Sequence, residues 1–304
     1  MEKKKLTTIA TLVLFIMTII WGLAFIGVSD ALNNGWGTFP IVFLRSIIGA
    51  LVVFPFTIKK SYRNKDLFKK GINIGVSAFG GYTLQTYGQS MTTVGATAFI
   101  TSLYIILVPL ILRILFRKRE SWVIYLASFI AVIGCLLLNL KLPLSFDKEN
   151  LLGNGLVLLG ALCFAIQIIT IAKYTQEHDV LQLTFIELVT MAFLALIAMS
   201  IINDFSFKVE GLFSVVWVGL LSSGLCSVSQ MWGEKHLHAS VSGIIMSLES
   251  VFGAIFALIF FDEHLTLIQA IGCTLILIPV LMCQIPIKPK EKIELEDEIK
   301  EESS

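Results

Sequence analysis

Ten runs of mostly apolar residues follow one another along the chain, near 7–28, 37–58, 71–90, 93–116, 121–140, 151–173, 180–202, 211–232, 238–261 and 265–286. Each is close to the roughly 20 residues a helix needs to cross about 30 Å of hydrocarbon. Inside that layer every backbone polar group must be bonded within the protein, so helices are the economical solution. The pattern predicts an all-α polytopic membrane protein of ten transmembrane helices, with the lipid bilayer as its solvent. Gly, Ser and Gln dilute the runs near 71–90 and 211–232, where hydropathy alone gives the weakest signal. Charged residues make up 15% of the chain, against about 25% in soluble domains. No basic patch interleaved with aromatics is present, which excludes a nucleic-acid partner.

The charges test the count of spans independently. With the N-terminus inside, nineteen of the 23 Lys and Arg residues fall on one set of connections, and only Lys141, Lys148 and Lys208 fall on the other. Arg45 lies within a span. This is the positive-inside asymmetry of a bacterial cytoplasmic (inner) membrane; it puts both termini in the cytoplasm. The first apolar run exceeds the roughly 7–15 residues of a signal-peptide core, and reads as a span. Residues 288–304 mix acids and lysines without aromatics and are expected to be a disordered cytoplasmic tail. The five cysteines lie in apolar runs without paired spacing, so neither a disulfide framework nor a zinc site follows.

The chain also repeats itself. A shift of 145 residues places Ser77 on Ser222, Gln85 on Gln230, Gly88 on Gly233, Ser102 on Ser247 and Phe116 on Phe261. A shift of 142 places Phe43 on Phe185, Ala50 on Ala192 and Arg45 on Glu187. This divides the chain into two five-helix repeats, 1–145 and 146–287. Five is odd, so the second repeat enters the membrane from the opposite side. Inverted repeats let two similar halves exchange conformations about a central site, a recurrent device of secondary transporters.

Trp21-Gly22, Phe43-Leu44-Arg45 and the stretch Leu248–Gly272, with its Leu-Glu-Ser-Val-Phe-Gly-Ala opening, resemble the drug/metabolite transporter superfamily, in particular its EamA-type permeases. The resemblance covers nearly the whole chain up to the tail. That family often has Glu-Pro where Glu249-Ser250 stands and Gly-Glu where Asp262-Glu263 stands. The resemblance implies ten helices, a central cavity and transport of amino acids or other metabolites, commonly outward.

Three ionisable residues fall at membrane depth, where a charge costs about 2.5–3.5 kcal/mol on insertion scales. Arg45 and Glu187 are expected to form an intramembrane charge pair. Glu249 is the candidate for substrate or proton binding. It shares a helical stripe with Ser242, Met246 and Gly253, which the repeat maps onto Thr97, Thr101, Tyr104 and Val108. Tyr82, Gln85 and Gln89 map onto Ser227, Gln230 and Glu234. Trp21 in the first span and Phe164 with Gln167 in the sixth complete the lining. The candidate substrate-binding residues are therefore Trp21, Tyr82, Gln85, Thr101, Tyr104, Gln167, Gln230, Met246 and Glu249. Pro109 predicts a kink in the fourth span. Gly71, Gly75, Gly153, Gly155 and Gly160 read as helix-packing positions.

Enzymatic readings lack their residues. Prenyl transfer needs clustered aspartates, and only Asp262-Glu263 comes near. An intramembrane serine protease needs a membrane-depth histidine, and all four histidines lie at span ends. No phosphate-binding glycine loop is present, and neither a cofactor nor a metal is called for. The expectation is a secondary transporter that exports amino acids or related small solutes by alternating access, with proton coupling open. A drug or nucleotide-sugar exchanger and a membrane enzyme or receptor are the alternatives. One chain suffices for a cavity, and the sequence leaves monomer and homodimer open.

Overall fold

The computed structural model describes residues 2–60, 62, 64–118, 120–139, 148–261 and 266–282. The tail 288–304, the Asp262-Glu263 pair and His264 lie outside the described residues. Helix dominates and no strand occurs among the described residues. We number the helices α1 (Glu2–Asn33), α2 (Thr38–Val53, closed by a 3-10 turn, Phe54–Phe56) and α3 (Lys65–Gln89). Next come α4 (Val94–Ser102, continued by Tyr104–Ile114), α5 (Trp122–Asn139), α6 (Lys148–Tyr174) and α7 (Val180–Ile202). The described residues close with α8 (Leu212–Trp217, a π-helical stretch Val218–Leu225, then Cys226–His236), α9 (Ala239–Met246 and Leu248–Phe261) and α10 (Leu267–Met282).

Among the described residues, seven stretches are long and apolar enough to cross a membrane: Lys4–Asn33, Thr38–Phe56, Val94–Ile114, Asn150–Tyr174, Val180–Ile202, Leu212–His236 and Ala239–Phe256. Trp122–Leu138 and Leu267–Met282 are apolar but shorter. α3 is long but too polar to join them. Of the two weak runs in the sequence, the one in α8 reaches the threshold and the one in α3 does not. The outer surface is hydrocarbon-like, with Leu51 64%, Phe129 57%, Leu151 69% and Phe193 61% exposed. A water-soluble monomer does not expose apolar side chains on this scale.

Capping fixes where helices begin. Asn64 accepts from the backbone N–H of Asp66 and Leu67, Thr93 from Ala96, and Asp179 from Gln182. These bonds satisfy donors that the first turn leaves orphaned. α7 ends on Asn203 and α8 is entered through Gly211, both left-handed at φ 56 and 75.

The connections gather at two opposite ends of the bundle. At one end the α1–α2 turn meets the α7–α8 connection, where Trp36 Nε1 donates to Glu210 O at 2.7 Å and Ser214 Oγ to Asp30 Oδ2 at 2.6 Å. Thr92, before α4, bonds Asn154 near the start of α6. At the other end Lys60 pairs with Asp179, Lys70 with Asp66 and Glu177, and His178 Nε2 lies 2.8 Å from Asp66. Glu120 and His238 face each other there at 3.5 Å. Lys70 and His178 hold the Asp66 carboxyl below its usual range, and Lys70 does the same for Glu177.

Both α4 and α9 are interrupted halfway. The sequence places the kink of α4 at Pro109, but helix continues through Pro109 and the discontinuity falls at Leu103. α9 breaks at the equivalent level, at Ser247, with no proline nearby. Serines account for both. Ser102 Oγ donates to the carbonyls of Ala98 and Phe99, and Ser247 Oγ to that of Ile244. Such back-bonding competes with the helical ladder and bends helices. The two breaks are also joined, because Ser250 Oγ reaches Ala98 O at 2.9 Å and Ser102 Oγ at 3.1 Å.

Small residues let the backbones approach. A Cβ on Gly22 would lie 2.7 Å from Gly253 N, drawing α1 against α9. Gly71 meets Ile186, Gly75 meets Thr190 and the Glu187 carbonyl, Gly153 meets the Gly88 carbonyl, and Gly160 meets that of Gly81. Gly155 departs from the packing expectation, with nothing within 4 Å of its would-be Cβ. Gly272 is the tightest against backbone, 2.5 Å from Leu138 N. One chemical change should therefore have opposite effects at two sites. Gly272→Ala should destabilise the protein by about 1–3 kcal/mol through overpacking. Gly155→Ala should be neutral or stabilise by about 0.5–1 kcal/mol, because Ala favours helix. Melting of the detergent-solubilised variants checks this. Equal effects would contradict the packing seen at α5 and α10.

Candidate functional site

Between the helices lies a partly open cavity, about 540 Å³ of space when the solvent at its mouth is included. Its walls come from α1 (Trp21, Ala24, Phe25, Val28), α2 (Arg45), α3 (Tyr82, Gln85, Gln89) and α4 (Thr101, Tyr104). The remainder comes from α6 (Phe164, Gln167, Ile168), α8 (Ser222, Gln230) and α9 (Met246, Glu249). All nine candidate substrate-binding residues named from the sequence stand on this one wall, and Arg45 joins them. Glu187 does not.

Most polar groups on the wall have a partner. Tyr104 Oη donates to Glu249 Oε1 at 3.1 Å, across the α4–α9 contact that the serine-linked breaks create. Gln85 Nε2 donates to Thr101 Oγ1 at 2.9 Å, and Gln89 Nε2 to Phe25 O at 2.9 Å. Trp21 Nε1 points at Ser222 O, 3.4 Å away. Tyr82 and Phe164 stack edge-to-face with centroids 5.0 Å apart. Gly81 makes room for that aromatic pair, since a Cβ there would sit 2.6 Å from the Phe164 ring.

Arg45 and Glu187 do not pair. Arg45 Nε donates to Ser223 Oγ at 2.9 Å and Nη2 to Ser222 Oγ at 3.0 Å, with the guanidinium carbon 4.2 Å from the Tyr82 ring centre. Glu187 Oε1 instead accepts from Gln167 Nε2 at 2.5 Å. The reason is packing. α2 lies against the π-helical stretch of α8, where Gly49 contacts Ser223 and Gly219 contacts Ile48. α2 also packs against α7, through Val42, Ala50 and Val53 with Leu188, Met191 and Ala195, but Arg45 turns to α8 and Glu187 to Gln167 of α6. The widened π turn brings the adjacent serines, Ser222 and Ser223, to one guanidinium, and π-bulges of this kind recur at functional sites.

Sequence reasoning put Glu234 in the polar stripe with Ser227 and Gln230 but not among the charges at membrane depth. Glu234 is 0% exposed, and its Oε1 accepts from Gln230 Nε2 at 2.8 Å. The predicted span stopped at residue 232, which made Glu234 a helix-end residue. The spacing of Gln230 and Glu234, four apart on one helical face, was the available signal. Ala24, Val28 and Ile168 were also missed, since apolar lining cannot be told from apolar core by residue type. Cys163, Cys226 and Cys273 are free thiols, and Cys135 Sγ accepts from Ser102 Oγ at 3.3 Å. Among the described residues, Asp66, Glu177 and His178 are the one group spaced to hold a metal, and the Lys70 ammonium already occupies their centre of charge.

A lipid-facing exterior around an interior cavity of amides, aromatics and isolated charges is the construction of a multi-pass membrane transporter. The chain belongs to the EamA-like transporter family, whose model matches it twice, at residues 8–140 and 151–283. An uncharacterized transporter of Archaeoglobus fulgidus is 29% identical over 283 residues, covering 90% of this chain and 85% of its own. The uncharacterized transporter YoaV of Bacillus subtilis is 24% identical, covering 88% and 93%. A solved crystal structure aligns at a TM-score of 0.75 over 91% of this chain and 96% of its own, at 15% identity, and so shares the fold.

The geometry yields a test of the charge arrangement. Removing both hydroxyls with Ser222→Ala and Ser223→Ala should leave Arg45 buried without its bonds, each worth about 1.5–3 kcal/mol for a charged donor. Folded yield in detergent should fall markedly. Swapping Arg45→Glu with Glu187→Arg should give no rescue over either single change. Recovery by the swap would restore the direct ion pair.

Proposed function

We propose that the chain is a secondary transporter that exports amino acids or closely related zwitterions across the cytoplasmic membrane by alternating access. One observation carries the substrate class: the cavity wall presents one guanidinium, Arg45, and one carboxyl, Glu249, among amides and aromatics. A solute bearing both a carboxylate and an ammonium matches that pair. Arg45 spends two of its five N–H donors on serines and keeps the rest for a carboxylate. A solute with several phosphates would meet only one cationic partner on the wall, which disfavours a nucleotide-sugar exchanger.

Two five-helix repeats of opposite orientation, 1–145 and 146–287, form the moving parts in this reading. The twofold match of the family model supports it, as do the paired breaks of α4 and α9. The distribution of connections is also in keeping, because the end that bears the start of α6 bears the close of α3. The cavity reaches toward that end, through Val28 near the close of α1 and Gln89 at the close of α3. By the charge asymmetry that end is the outer one, and Lys60, Lys70 and their acidic partners lie on the cytoplasmic side. Rocking of the halves would expose Glu249 first to one side and then to the other.

Reconstituted protein in liposomes loaded with unlabelled amino acids should accumulate labelled zwitterionic amino acids by counterflow. Amines without the carboxylate and acids without the ammonium should compete poorly. Glu249→Gln should lower accumulation about 10–100-fold, the worth of one charge-assisted bond. Absence of counterflow with folded protein would overturn the substrate class, and equal accumulation by Glu249→Gln would remove Glu249 from the route.

A further inference from the structure

Glu187 and Glu234 lie off the cavity wall, yet each is bonded to an amide that stands on it. Gln167 serves Glu187 and Gln230 serves Glu234, in both cases through Oε1. The second oxygen of each carboxyl, Oε2, is buried and meets no hydrogen-bond partner among the described residues. The residues are 1% and 0% exposed. Their helices touch at that level, since Thr184 Oγ1 of α7 lies 3.2 Å from Met231 Sδ of α8, one turn from either glutamate. The two carboxyls are near enough to act on one another electrostatically.

No cationic side chain pairs with either carboxyl among the described residues. From α2, Arg45 is turned to Ser222 and Ser223. From α3, Tyr82 lies within electrostatic reach of Glu187, and from α4, Tyr104 lies within reach of Glu234. From α9, Glu249 is bonded to Tyr104. α1 presents Leu14 against Gly233, and α6 presents the neutral Gln167. Two anions here would each keep a buried oxygen without a donor and would repel one another, both of which are costly. A proton removes the charge by forming one O–H bond. A divalent metal ion would ask for six or more oxygen ligands, and the amides turn N–H groups toward the carboxyls.

We propose that Glu187 and Glu234 form a proton-binding pair beneath the cavity, separate from Glu249, that couples proton binding to solute binding through Gln167 and Gln230. A hydrogen bond to an anionic carboxylate is about twice as strong as one to a neutral acid. Protonation of Glu187 therefore loosens the hold on the Gln167 amide, which is then free to meet a solute in the cavity. By linkage, solute that engages Gln167 favours the protonated pair. The coupling role rests on the transporter reading, whereas the site itself does not.

Infrared spectroscopy of the protein in lipid nanodiscs, titrated across pH without any solute, tests the site. The wild type should show carbonyl bands of buried neutral carboxylic acids that disappear as pH rises. Glu187→Gln and Glu234→Gln should each remove one band and shift the midpoint of the other by about one pH unit, because the groups interact. Glu249→Gln should keep both. Gln167→Met leaves both carboxyls in place and should shift the Glu187 band alone, which covers the case of a glutamate variant that fails to fold. The titration is repeated with sodium replaced by choline. No such bands, bands that survive both glutamate substitutions, or midpoints that move with sodium would overturn the proposal. Since no solute is used, the site can fail while counterflow succeeds, and the reverse.

Discussion

Four ionisable side chains, Arg45, Glu187, Glu234 and Glu249, are at most 4% exposed inside a protein whose outer surface is hydrocarbon. Neither lipid nor apolar core can solvate them, so each must find a polar partner within the protein. Arg45 takes the serines of the π-helical stretch, Glu249 takes Tyr104, and the other two take glutamine amides. These bonds tie α2 to α8, α4 to α9 and α6 to α7. The same demand explains why α3 carries Tyr82, Gln85 and Gln89 and is too polar to read as a span by hydropathy. A helix that lines a cavity on one side sacrifices apolar character that its lipid-facing neighbours keep.

Close approach of backbones completes the arrangement. Gly22 lets α1 lie on α9 at Gly253, one turn from Glu249, which sets Trp21 on the cavity wall. Gly49, Gly219 and Gly224 draw α2 onto the π-helical stretch and bring Arg45 to its serines. Segments of the sequence that resemble EamA-type permeases, Trp21-Gly22 and the stretch from Leu248, are thus in contact. Their glycines serve to place the polar residues beside them.

The cavity lining was legible in the sequence because its signal is chemical. Gln85 and Gln230 stand out among apolar residues, recur at a constant spacing and need partners. The helical stripe of Glu249 with Met246, mapped by the repeat onto Thr101 and Tyr104, gave both sides of the α4–α9 contact. Three-dimensional pairing was not legible. Arg45 and Glu187 are equivalent by repeat and their helices pack together, yet Arg45 turns to the α8 serines and Glu187 to Gln167 of α6. Pro109 drew attention from Ser102 and Ser247, whose carbonyl bonds break both helices without a proline. Glu234 stands in the polar stripe of the eighth span, but that span as predicted stops at residue 232 and leaves it out of the membrane-depth charges. Gly155 shows that a glycine in a membrane helix need not mark a contact.

In the proposed transport cycle the cavity walled by Arg45, Tyr104 and Glu249 opens alternately to the two sides of the membrane. Single cysteines at Val28 and Ile168, in a background with the five native cysteines replaced, test it directly. They would be probed with a membrane-impermeant thiol reagent applied from either side of sealed vesicles. Both positions should react from both sides, and a transported solute should slow the reaction at each. A cavity that reacts from one side only, with or without solute, would contradict alternating access.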